Sequence, residues 1–89
     1  MEETERKQLK LIIVYGTNKD LEVERTESIA RVKLGAMGLF GIPEAEQGSY
    51  ILKTKVDGQE VQLDEAKTVD YYHLHEDQKV TLAAGAPYG

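Results

Sequence analysis

A chain of 89 residues forms one domain with one modest core, because so short a chain leaves much of its surface wet. Sixteen acidic side chains against eleven Lys and Arg give a net charge of −5, so the basic footprint that phosphate binding requires is missing and nucleic acid is excluded as a partner. No cysteine is present, which excludes a disulfide framework, a thiolate metal site and a cysteine nucleophile, and fits a reducing, cytoplasmic setting.

Residues 1–8 are almost all polar and predict a disordered lead. Glu2, Glu3 and Glu5 carry the wrong charge for a signal peptide. The longest apolar run, Leu11-Ile12-Ile13-Val14-Tyr15, falls far short of the ~20 residues that cross a bilayer, so no membrane partner is expected. Leu9 to Tyr15 predicts a strand, with Leu9, Leu11, Ile13 and Tyr15 on one face and Lys10, Ile12 and Val14 on the other. Gly16 to Asp20 reads as a turn cluster and Leu21 to Glu24 as a second, half-buried strand, so the two make a hairpin.

Thr26 is placed to cap a helix over Glu27–Phe40, in which Ile29, Val32, Ala36 and then Leu39 or Phe40 recur at helical spacing. Gly35 and Gly38 weaken its second half by roughly 1 kcal/mol each. Leu34, Met37, Leu39 and Phe40 cannot all face one core. Gly41-Ile42-Pro43 ends the helix. Ser49 to Val56 alternates as a third strand, Asp57-Gly58 is a two-residue hairpin turn, and Gln59 to Leu63 returns with Val61 and Leu63 inward. Asp64 to His73 is a loop with a helical turn capped by Thr68. Leu74 is an isolated apolar plug. Lys79 to Ala83 closes the sheet. The fold class is therefore α+β: ββαββ plus one closing strand, a mixed sheet curled around one helix. The domain is expected over residues 9–83, with a projecting tail over residues 84–89.

Few side chains suggest chemistry. His73 and His75 flank Leu74, with Glu76 and Asp77 behind, and two imidazoles at that spacing suit zinc or nickel. A third ligand cluster is missing, so no metal and no cofactor is predicted, and both histidines are expected in solvent. No Ser/His/Asp spacing, phosphate loop or paired-carboxylate constellation stands out, so the chain is read as no enzyme.

The element order is that of the β-grasp, and particular residues resemble ubiquitin. Leu21-Glu22-Val23-Glu24 with Ile29, Val32 and Lys33 is similar to its second strand and helix start. Gly41-Ile42-Pro43 followed by Gln47 is similar to its helix terminator. Thr68-Val69, Tyr72, Leu74, Val80 and Leu82 are similar to the segment leading into its last strand. The likeness covers residues 9–89 and breaks between Gln47 and Leu63, where this chain is longer. From Leu63 onward the register places Gly89 on ubiquitin's terminal glycine. The resemblance implies a ubiquitin-like protein modifier. Its partners would be a cognate ATP-dependent activating enzyme, a conjugating enzyme, target proteins and a deconjugating peptidase. Gly89 would be the conjugated carboxylate, with Gly85, Pro87 and Tyr88 as the tail residues that the enzyme recognises. Tyr88 stands where the penultimate glycine is usual, and the tail has no arginine, which points to a dedicated enzyme such as bacterial ubiquitin-like modifiers have. The resemblance also implies a docking patch on the sheet face away from the helix, at Val14, Ile51 and Ala83. Two alternatives stand beside this reading: a non-covalent interaction domain, and a sulfur carrier bearing a thiocarboxylate at Gly89.

Overall fold

The computed structural model of the chain describes residues 8–85. Five strands and one helix follow in the order β1 (Gln8–Tyr15), β2 (Thr17–Glu24), α1 (Ile29–Leu39), β3 (Tyr50–Val56), β4 (Gln59–Gln62) and β5 (Gln78–Ala84). Two 3-10 helices, Glu44–Ser49 and Asp70–Tyr72, lie in the connections. The sheet order is β2-β1-β5-β3-β4, with β1 and β5 parallel and every other pair antiparallel. The expected mixed sheet on one helix is therefore present.

The core follows from the period-two alternation. Leu9, Leu11 and Ile13 of β1, Leu52 of β3, and Val80 and Leu82 of β5 face the helix and are buried. From α1 come Ile29, Val32, Ala36 and Met37. Leu63, Val69 and Leu74 close the core beneath the long connection into β5. Leu34, Leu39 and Phe40, surplus to one helical face, pack around the core's margin together with Tyr15, Ile42 and Tyr50.

Three boundaries depart from expectation. The turn between β1 and β2 is Gly16 alone, with φ +74°, and Tyr15 pairs directly with Thr17. Thr17 to Asp20 are strand, because ladder bonding to β1 continues through side chains that are all exposed. The helix begins at Ile29 and is capped by Ser28, whose Oγ accepts from the Arg31 N–H at 3.3 Å; Thr26 is not the cap. Glu27 and Ser28 are held out of the helix by the connection that follows β4. The Val69 N–H donates to Glu27 O at 3.0 Å, the Ile29 N–H to Lys67 O at 2.8 Å, and Ser28 bridges Thr68. At the far end, β5 runs through Ala84 and the Gly85 N–H donates to Ser49 O at 3.0 Å, so the hydrogen-bonded domain passes the expected limit at residue 83.

The hairpin and the 3-10 turn follow their sequence signals. Asp57 and Gly58 have φ of 53° and 82°, the two positive values of a type I′ turn. Thr68 Oγ1 accepts from the Tyr71 N–H at 3.1 Å at the entry to the turn Asp70–Tyr72, whose N-cap position is Val69 and not the expected Thr68.

Candidate functional site: the outer face of the sheet

Residues opposite one another across a ladder share a face, so the strand register defines the surface turned away from α1. Val14 pairs with Thr81, Ile12 with Lys79, Thr81 with Lys53 and Ala83 with Ile51. Ile12, Val14, Thr81, Ala83 and Ile51 thus form one band across the three central strands. Lys53 and Lys55 of β3 lie beside it towards β4, and Lys79 of β5 stands opposite Ile12. On the β2 side Asp20 pairs with Ile12 and Glu22 with Lys10. The face is apolar in the middle, basic on one flank and acidic on the other.

Local bonds fix that pattern. Lys10 Nζ lies 3.1 Å from Asp77 Oδ1 and 4.0 Å from Asp20 Oδ2. The hydrogen bond to Asp77, then the Asp77 and Asp20 charges, raise the Lys10 ammonium pKa above its ordinary value. Lys53 Nζ lies 4.0 Å from Glu60 on β4. Under the lower rim, Thr54 Oγ1 donates to Lys79 O at 2.7 Å and Gln78 Nε2 donates to Thr54 Oγ1 at 2.8 Å, tying β3 to β5. At the upper rim, the Tyr15 and Tyr50 hydroxyls meet at 3.4 Å, a contact that raises the Tyr50 pKa.

A scan against protein-family models gives no match, and a search of the curated proteins gives none either. Solved structures do match. ATBAG1 in complex with HSP70 is similar with TM-score 0.70 at 17% identity, over 85% of this chain and 40% of that one. The chain therefore spans less than half the length of that protein. The solution NMR structure of the ubiquitin-like domain of Arabidopsis thaliana protein At2g32350 is similar with TM-score 0.72 at 15% identity, over 89% of this chain and 79% of that one. A second structure of At2g32350, combining evolutionary couplings with sparse NMR data, gives TM-score 0.74 at 14% identity, covering 96% and 95% of the two chains. The fold is a ubiquitin-like β-grasp.

Within this ubiquitin-like domain the three predicted patch residues share the outer face but not the same exposure. Val14 and Ala83 are half-buried, whereas Ile51 is only 8% exposed. Its side chain lies against Gly85, where an added Cβ would sit 3.0 Å from Ile51 Cδ1. Ile51 is thus the floor of the face, and Ile12 and Thr81 contribute surface in its place. Period-two reading supplies both: Ile12 shares its face of β1 with Val14, and Thr81 alternates with buried Val80 and Leu82. Tyr50, next to Ile51 on β3, pairs with Ala84 and packs against the core at the rim of the helix side. Gly85 is bonded to the domain and is not free tail. Pro87, Tyr88 and Gly89 lie outside the described residues.

Both histidines are exposed and Leu74 between them is buried, as the alternation predicts. His75 Nδ1 lies 3.1 Å from Glu76 O. Among the described residues no group of three or more His, Cys, Asp and Glu side chains could hold a metal. Among the same residues, no helix is long and apolar enough to cross a membrane. Lys33 was missed as a structural residue. It is 1% exposed, and its Nζ donates to Gln47 O at 2.6 Å, Tyr50 O at 3.0 Å and the Glu65 carboxylate.

Proposed function

We propose that the chain is a ubiquitin-like protein modifier, read by its enzymes through the outer face and joined to targets through Gly89. The supporting observation is the continuity between that face and the exit of the chain. Ala83 and Ile51 pair at the upper end of the band, and Gly85 packs on Ile51 while bonded to Ser49. The four residues from Ala86 to Gly89 reach at most roughly 13 Å from there at ~3.3 Å each. An enzyme docked over Val14 and Ala83 therefore has Gly89 within its own active site's reach. The chain's chemistry is then a substrate's. The Gly89 carboxylate attacks the α-phosphorus of ATP and displaces pyrophosphate. An enzyme thiol displaces AMP to give a thioester, and a target amine displaces the thiol to give an isopeptide bond. Glycine offers no side chain to obstruct either acyl transfer.

The test is a gel-shift and mass-spectrometric assay with purified candidate activating enzymes and ATP. ATP-dependent adducts through the Gly89 carboxylate, lost when Gly89 is deleted, are expected. Adducts that persist without Gly89, or that map to a side chain, overturn the mechanism. The second reading is a non-covalent interaction domain. It is favoured by the neighbours, one of which is a larger protein solved in complex with HSP70. Absence of any ATP-dependent adduct, with retained pull-down of a partner through Val14, would decide for it.

A further inference from the structure

The outer face carries charge of both signs and keeps the signs apart. On the β2 flank stand Asp20 and Glu22, opposite Ile12 and Lys10. Asp20 has Lys10 at 4.0 Å, a cation already held by Asp77 at 3.1 Å, and Glu22 makes no ion pair among the described residues. On the other flank stand Lys53 and Lys55 of β3 and Lys79 of β5. Lys53 has Glu60 at 4.0 Å; Lys55 and Lys79 make no ion pair among the described residues. Between the flanks Ile12, Val14, Thr81 and Ala83 are half-buried and uncharged. A face shaped only for water would intersperse the two signs.

The register shows what this separation fits. One row across the sheet reads Asp20, Ile12, Lys79, and the next reads Asn18, Val14, Thr81, Lys53. Lys55 follows Thr54, whose partner is Val80, so it stands level with Lys79. Two copies stacked face to face are related by a two-fold axis in the plane of contact. An axis across the strands sets β2 on β2 and β3 on β3, acid on acid and base on base, which like charge opposes. An axis along the strands, between β1 and β5, keeps every row level and sets β2 of each copy over β3 of the other. Asp20 then faces Lys55, Val14 faces Thr81, and Ile12 faces the stem of Lys79, whose ammonium extends towards Asp20 of the other copy. Stacked sheets lie about 10 Å apart, a gap that a lysine and an aspartate bridge together.

We infer that the outer face pairs with a second copy of this chain, in a closed two-fold dimer with β2 over β3 at each flank. The uncharged band makes the middle of the contact. The flanks choose between the two axes, and each flank contact occurs twice by symmetry. The dimer does not rest on the modifier reading. It covers Val14 and Thr81, so a second copy and a docking enzyme exclude one another on this face.

The test is sedimentation of the full chain over a concentration series, at low and at raised salt. A monomer–dimer equilibrium is expected, at least tenfold weaker at raised salt because the flank pairs stay close to solvent. Asp20→Lys/Glu22→Lys makes both flanks basic, and Lys53→Glu/Lys55→Glu makes both acidic. Each double variant alone should dimerise at least tenfold more weakly than the parent chain. Mixed in equal amounts, the two should form a heterodimer at least as tight as the parent dimer, because both flanks are then complementary. A folding defect cannot produce that rescue. With one variant isotope-labelled, NMR shift changes on mixing should fall on β1, β2, β3 and β5 and spare α1. A parent chain that stays monomeric, undiminished dimers in either variant alone, no heterodimer on mixing, or shift changes centred on α1 would each overturn the dimer.

Discussion

Lys33 carries more of this fold than its residue type suggests. Lysine is seldom fully buried, because desolvating an ammonium costs several kcal/mol unless every donor finds an acceptor. Here three acceptors come from three places: the 3-10 helix at Gln47, the start of β3 at Tyr50, and Glu65 in the connection after β4. One side chain therefore ties α1 to two segments distant in the chain. Replacing it strands the Glu65 carboxylate and two carbonyls together. Lys33→Met should cost about 3–5 kcal/mol in urea unfolding, the range for breaking a buried pair. Glu65→Gln, which keeps an acceptor oxygen, should cost less; an equal loss would show that charge dominates over bonding. The same burial removes Lys33 as a nucleophile in the folded state. Amine-reactive labelling of the native chain should spare Lys33 while modifying exposed Lys55, Lys67 and Lys79. The signal was present in the spacing, since Lys33 stands at i+4 from Ile29 and beside Val32 on the buried stripe. Its acceptors were not legible, because two of them are backbone oxygens placed only by the tertiary fold.

At the scale of elements, what the sequence made plain and what it hid divide along one line. Strands with one buried face announce themselves: β1, β3 and β5 alternate, and a slip of one residue would turn their apolar sets to solvent. An edge strand has no such constraint on its outer half. Thr17, Asn18, Lys19 and Asp20 carry turn-like residue types, yet they continue the ladder because β1 offers partners as far as Tyr15. The helix start was misplaced for a related reason. Thr26 and Ser28 are both good caps, and a bridge from Ser28 to Thr68 selects between them. Ser28→Ala should therefore cost about 1 kcal/mol, and Thr26→Ala no more than about 0.5 kcal/mol, in thermal or urea unfolding. The reverse order would contradict the assigned cap. Ile29, at the first turn and fully buried, should cost on the order of 2–5 kcal/mol when cut to alanine. The outer face was legible as a face from alternation alone. The covering of Ile51 was not, because it arises from Gly85, which looked like free tail and instead bonds to Ser49.

For the whole molecule, the modifier reading makes the outer face and the chain exit one working surface, and a substitution there must be chosen to test docking apart from folding. Val14 and Ile51 look equivalent in sequence, but they are not equivalent in the fold. Ile51 is 8% exposed beneath Gly85, so Ile51→Asp places a carboxylate without a partner in the floor of the face. It should cost about 3 kcal/mol or more and disturb the exit of the chain as well. Val14 is half-buried beside Thr81, with Lys79 and Lys53 across the neighbouring ladder positions. A carboxylate there stays hydrated and has lysines nearby, so Val14→Asp should cost only about 1 kcal/mol, a shift of roughly 4–8 °C in a domain this size. Under the modifier reading, Val14→Asp should reduce ATP-dependent adduct formation with the activating enzyme while the chain stays folded. Deletion of Gly89 should abolish adducts with no change in melting temperature. The two variants separate the surface from the reacting end. Adduct formation unchanged in folded Val14→Asp would mean that the activating enzyme does not read this face. Loss of folding in Val14→Asp would mean that Val14 belongs to the core, and the docking band would then reduce to Ile12, Thr81 and Ala83.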